Sequence, residues 1–89
     1  MKQFNDLEFR QHPNNPYGII AEMDFPNGMR ISVIQGYGFY CSPETYEVMV
    51  FLRESALTLD TSDLPIDDPF GWQTKDDVSE LMKKCQEIS

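Results

Sequence analysis

Six aspartates fall within the stretch "LDTSDLPIDDPFGWQTKDD", Leu59 to Asp77, alongside a single lysine. Carboxylates at that density can hold a divalent cation, share a proton for acid–base work, or offer negative charge to a cationic partner. Spacing argues against an EF-hand. Such a loop places acidic or amide ligands at alternate positions before a glycine and a closing glutamate. Counted from Asp60 or Asp63, the ligand positions fall on Ser62, Leu64 and Pro65. Only an improvised cation site on Asp67 and Asp68 would remain.

Acid–base or nucleophilic chemistry needs a base within reach of a nucleophile and a third group to orient it. The sole histidine, His12, precedes Pro13 in a loop with no such partner fixed by spacing. In "SPETYE", Ser42 and Thr45 have no His or Lys placed to activate them, and Glu44 and Glu47 suit an ordinary loop–strand junction. "GYG" at 36–38 lacks the glycine pattern of a phosphate loop and leads into aromatics. Tyr37, Phe39 and Tyr40 are candidates for an exposed aromatic patch or for core packing. Cys41 and Cys85 lack CxxC spacing and have one histidine for company, which rules against a structural zinc site. The expectation is a protein that is not an enzyme and that uses no cofactor or metal.

Local structure accounts for half of the aspartates. Asp76 and Asp77 open a helix and Asp60 closes an apolar run, leaving Asp63, Asp67 and Asp68. The ordinary reading is a solvated loop held down by Ile66, Phe70 and Trp72. The sharper one is an acidic face offered to a basic partner, with Phe70 and Trp72 as anchors beside the charge.

Charge distribution narrows the partners. Net charge is −8; residues 60–77 hold six acids against one base, whereas 78–89 balance two against two. Such a surface repels phosphate backbones, which disfavours direct binding to nucleic acid or an anionic membrane. A protein partner with a basic surface is expected. "MKQFNDLEFR" has no apolar run after its lysine, and no window approaches the ~20 apolar residues that cross a bilayer. A cytoplasmic protein is expected.

The elements that position these groups follow from periodicity. With 89 residues and 40% hydrophobic content, the chain reads as a single domain, 1–89, with one modest core. "IIAEMDFPNGMRISVI" alternates on both sides of Pro-Asn-Gly, a hairpin signature. A two-residue Asn-Gly loop would pair Pro26 with Met29 and waste a ladder position on a residue without an N–H. A three-residue loop, with Pro26 in a type I turn and Gly28 left-handed in a bulge, pairs Phe25 with Met29, Met23 with Ile31 and Ala21 with Val33. It also sets Asp24 against Arg30 and Glu22 against Ser32, so the second register is predicted.

"DLEFRQHP" predicts a short edge strand. "YEVMVFLR" alternates Tyr46, Val48, Val50 and Leu52 with Glu47, Met49, Phe51 and Arg53, and "ALTLD" predicts a fifth strand. From Lys75, Val78, Leu81, Met82, Cys85 and Ile88 share one helical face. Thr74 is the natural N-cap, with Asp77 completing a short-armed capping box.

The ordered series "FPNGMRISVIQG…YEVMVF…LTLDT…IDD..GWQTKDDVSELMKK" resembles a group of small proteins of no established activity encoded by tailed bacteriophages and prophages. Those share an FDNGYGxSVVxG-like hairpin, a YELAV-like strand, an LTYDTPITDD-like acidic segment and a helix opening with T-x-x-D/E-V. The resemblance covers most of 19–86; Met29-Arg30 after Asn-Gly and the longer "TSDLPIDD" depart from it. It implies a phage setting in a host bacterial cell and an α+β fold, and it transfers no site residue. It also implies that the acidic segment belongs to the design of the fold.

The expected architecture is α+β: an antiparallel sheet of four or five strands with one C-terminal helix across a face. Strand 19–25 should pair with 29–35, and 46–53 with one of them. The core should contain Ile19, Ala21, Met23, Phe25, Ile31, Val33, Val48, Val50, Leu81 and Cys85. The function expected is a non-enzymatic phage or prophage accessory protein that binds a host or phage protein through Asp63, Asp67, Asp68, Phe70 and Trp72. Inhibition of a nucleic-acid-binding enzyme is one specific form, because clustered carboxylates can imitate phosphates. The alternative is a self-associating structural module, such as a homodimer through exposed sheet edges.

Overall fold

A computed structural model describes residues 1–53 and 64–88 of the chain. Strands β1 (Arg10–Gln11), β2 (Gly18–Asp24), β3 (Met29–Gly36), β4 (Tyr46–Leu52) and β5 (Phe70–Gln73) form one antiparallel sheet in chain order. Helix α1 (Lys75–Glu87) lies across one face. The α+β architecture is the one expected from periodicity.

The hairpin adopts the predicted register: Ala21 opposes Val33, Met23 opposes Ile31, Asp24 opposes Arg30, and Glu22 opposes Ser32. Gly28 donates to the Phe25 carbonyl and takes a φ of 96°, the left-handed position that favours glycine. Asp24 accepts hydrogen bonds from Arg30 on the outer face, and Arg53 approaches at 3.8 Å. The hydrogen bond from Arg30 holds the Asp24 carboxyl below its usual range; loss of solvation opposes it, and the positive charges of Arg30 and Arg53 add lesser contributions in the same direction as the bond.

The core sits between the sheet and α1. Ala21 and Phe25, Met29, Ile31 and Val33, and Tyr46, Val48 and Val50 meet Val78, Met82 and Cys85 of the helix. Burying a side chain the size of valine or methionine contributes about 1.5–3 kcal/mol, so tertiary contact holds this short helix in place. Thr74 caps it as predicted, accepting from the Asp77 N–H while the Asp77 carboxylate accepts from the Thr74 N–H. Cys85 is fully buried, and its thiol is pushed up to about 11 by loss of solvation.

Four expectations need correction or fall outside the described residues. Ile19 is 37% exposed whereas Ile20 is 9% exposed. The partners of Ile19 across the sheet are Gln11 and Gln35, so the helix-facing surface has already turned polar in that row. Met23 and Leu81 are half-buried and pack against the core from its margin. The N-terminal strand shrinks to Arg10–Gln11, with a 3-10 turn at Phe4–Asp6 and Leu7 buried beneath the sheet. The strand expected at "ALTLD" lies outside the described residues; the observed fifth strand is Phe70–Gln73, in the segment whose ordinary reading is a loop.

One tertiary link has no signature in the periodicity. The Asn27 side-chain amide, at the hairpin tip, donates to the carbonyls of Cys85 at 2.7 Å and Ile88 at 3.1 Å, while its oxygen accepts from the Met29 N–H. Those carbonyls belong to the helix end, where main-chain acceptors have no intrahelical donor. The turn residue of the hairpin therefore also caps the helix.

Candidate functional site

Strand β5 is where the acidic segment meets the sheet. Its pairing with β4 is irregular: Tyr46 opposes Gln73 and Val48 opposes Phe70, so the two residues Gly71 and Trp72 stand against the single residue Glu47. An extra residue in one strand is a β-bulge, a device that re-aims a side chain. Trp72 occupies the bulge with a φ of 55°, left-handed backbone that a bulky residue seldom adopts. The residue is 62% exposed.

The aromatic loop after β3 completes this corner. Glu47 alternates with the core residues Tyr46 and Val48, and so faces away from α1. Its Oε1 accepts the Tyr40 N–H at 2.9 Å, and the Tyr40 carbonyl accepts the Trp72 N–H at 2.9 Å. Main-chain atoms of Tyr40 are thereby bracketed between β4 and β5. The loop can come this close because residue 71 is glycine: a Cβ there would lie 2.2 Å from the Tyr40 oxygen. Phe39 folds inward against Gly18 and the His12 ring, whereas Tyr37 and Tyr40 remain 85% and 61% exposed. The Tyr40 and Trp72 rings stand with centroids 5.8 Å apart at an interplanar angle of 43°.

The residues singled out from sequence divide between different environments. Asp63 lies outside the described residues. Asp67 and Asp68 are exposed; the Asp67 N–H bonds the Val50 carbonyl at 2.8 Å, and its φ of 58° suits an aspartate. Phe70 is half-buried and packs against the core, so it anchors the strand and offers little to a partner. Trp72 is displayed. Exposed charge thus precedes β5, and the exposed indole is the third of its four residues.

Tyr40 and Glu47 enter this site only through tertiary structure. Their sequence signal was limited to an aromatic run and a glutamate on the outer face of a strand. Among the described residues no cluster of three or more His, Cys, Asp or Glu side chains could hold a metal ion. Cys41 is half-buried against Gly36, its sulfur accepting from the Gly36 N–H at 3.4 Å. No helix among the described residues is long and apolar enough to cross a membrane. No family model matches the chain, and comparison with the curated proteins and with the solved structures finds no match either.

Proposed function

We propose that this chain is a non-enzymatic accessory protein that binds a basic protein through its acidic surface, on the side of the sheet bounded by β5. One observation carries the reading: Trp72 is turned out to solvent by a bulge, on an edge strand preceded by the exposed Asp67 and Asp68. Exposed tryptophan is expensive in water, and tryptophan is enriched among the residues that dominate interfaces. Residues 64–74 contain two acids and no base, so the complementary surface is cationic. A phage or prophage setting is supported by the hairpin and acidic-segment motifs. In that setting a host or phage nucleic-acid-handling enzyme is the natural partner, because its basic groove accepts clustered carboxylates.

The test is capture of partners at low salt by the parent and by a variant carrying Asp63→Lys, Asp67→Asn and Asp68→Lys. Asparagine is chosen at 67 because it tolerates left-handed backbone. A folded variant that loses a salt-sensitive partner supports the reading. Undiminished capture by the variant refutes it.

A second reading, self-association, is favoured by the sheet face opposite α1. Ile34, Met49 and Phe51 are half-buried there, and by register they share that face with Ser32 and Glu47. A concentration-dependent dimer in sedimentation, without a partner, would support it.

A further inference from the structure

The bulge corner has a recognition chemistry of its own, which deepens the reading above and rests on it. We propose that the Tyr40 and Trp72 rings, together with the Glu47 carboxylate, form a receptor for an arginine side chain of the partner protein.

Three features converge. The two exposed rings touch as a tilted wedge, with centroids 5.8 Å apart at 43°, so a cation stacks on the outward face of one ring and not between them; such faces carry negative potential that attracts cations. The main chain that carries the wedge is pre-organised: the Glu47 carboxylate accepts the Tyr40 N–H, and the Tyr40 carbonyl accepts the Trp72 N–H. Finally, Glu47 keeps one oxygen, Oε2, with no hydrogen bond or ion pair among the described residues.

No cation of the surrounding segments takes that place. Residues 31–52 and 64–74, which build the corner, contain no lysine or arginine. Lys75 follows directly, but its ammonium stands 5.7 Å from the centroid of the Phe4 ring, on the side where Phe4 packs against Tyr46. Net charge of −8 draws a basic partner to the surface, and the wedge supplies the point at which one side chain is read.

Arginine fits better than lysine. Its planar guanidinium stacks flat on an indole while its in-plane N–H groups remain free to donate to a carboxylate. An ammonium is a compact, strongly hydrated charge with no plane to stack. Occupation by arginine also explains why a large ring is held in left-handed backbone without being buried, since display of the ring face is the result.

The experiment uses Trp72, the sole tryptophan, as the reporter. Tetra-arginine, tetra-lysine and tetra-glutamine peptides are titrated into the intact protein while indole emission is followed. Tetra-arginine should change the emission saturably and bind roughly 2–5-fold tighter than tetra-lysine, with no response to tetra-glutamine. Glu47→Gln and Tyr40→Leu should each reduce that preference. Equal affinity for arginine and lysine peptides, or binding that leaves the emission unchanged, overturns the receptor. This result comes from the unaltered protein, so misfolding of a variant cannot mask it. If it fails while the aspartate variant loses its partner, the acidic-surface reading stands and only the arginine receptor falls.

Discussion

Replacing Gly71 with alanine tests the packing that builds the bulge corner. The added Cβ would lie 2.2 Å from the Tyr40 oxygen and 2.5 Å from the Tyr40 Cβ, well inside contact distance, and the nearest atom is main chain. Tyr40 must move, and the Trp72 N–H loses its acceptor. Overpacking of this kind costs about 1–3 kcal/mol, and a broken hydrogen bond adds about 0.5–1.5 kcal/mol. Against this, the alanine chain gives up about 0.4–1 kcal/mol less entropy on folding. The net is about 2 kcal/mol of destabilisation, which for a domain of this size lowers the melting temperature by about 8–16 °C. Thermal unfolding followed by circular dichroism reads the stability. Trp72 emission in the folded state reads the local change, and it should shift as Tyr40 withdraws. A variant that melts within ~2 °C of the parent with unchanged emission would refute the account of residue 71.

Asn27→Ala removes both donors to the helix end and should cost about 1–3 kcal/mol in denaturant unfolding, with Asn27→Asp worse because it places negative charge at the helix C-terminus. Thr74→Ala should cost about 0.5–2 kcal/mol in the same assay by opening the capping box. A thiol reagent should label Cys41 in the native protein and Cys85 only after unfolding. The Cys85 pKa is raised on folding, to about 11 from 9.0, so the unfolded chain releases its thiol proton first and stability falls as pH rises from about 9 to 11. The loss attributable to this group reaches about 2–3 kcal/mol. Cys85→Ala should flatten the decline across that window, and an unchanged slope would assign it to other groups.

Periodicity carried the hairpin and the helix because each is specified locally. Pro26-Asn27-Gly28 sets the turn, the alternation on both arms sets the register, and Thr74 with Asp77 sets the helix start. Strand β5 was illegible for the opposite reason. It has four residues, follows an acidic proline-containing segment, and carries an extra residue that breaks the period of two. Hydrophobic alternation along β2 assigned Ile19 to the core correctly as to face, but a row's burial depends on Gln11 and Gln35, which alternation along one strand does not see. Trp72 was singled out for its type and neighbours. Its actual setting, paired with Tyr40 and opposite Glu47, needed the bulge and the returning loop.

Asn27 also bears on the order in which the molecule assembles. In a sheet whose strands are neighbours in chain order, the pairings among β1 to β4 close connections of 6, 4 and 9 residues, so that part of the meander can zip from the hairpin without a long search. The helix has no such advantage: the Asn27 bonds to Cys85 and Ile88 span 58 and 61 residues. Helix docking is therefore expected after the main barrier. Lesions in the hairpin alternation should slow refolding, whereas Asn27→Asp, which keeps an oxygen for the Met29 N–H but loses the donors to the helix end, should leave refolding nearly unchanged and accelerate unfolding. The side chain that shapes the first turn to form is then also the latch that closes last, which makes the lifetime of the folded state sensitive to a single amide.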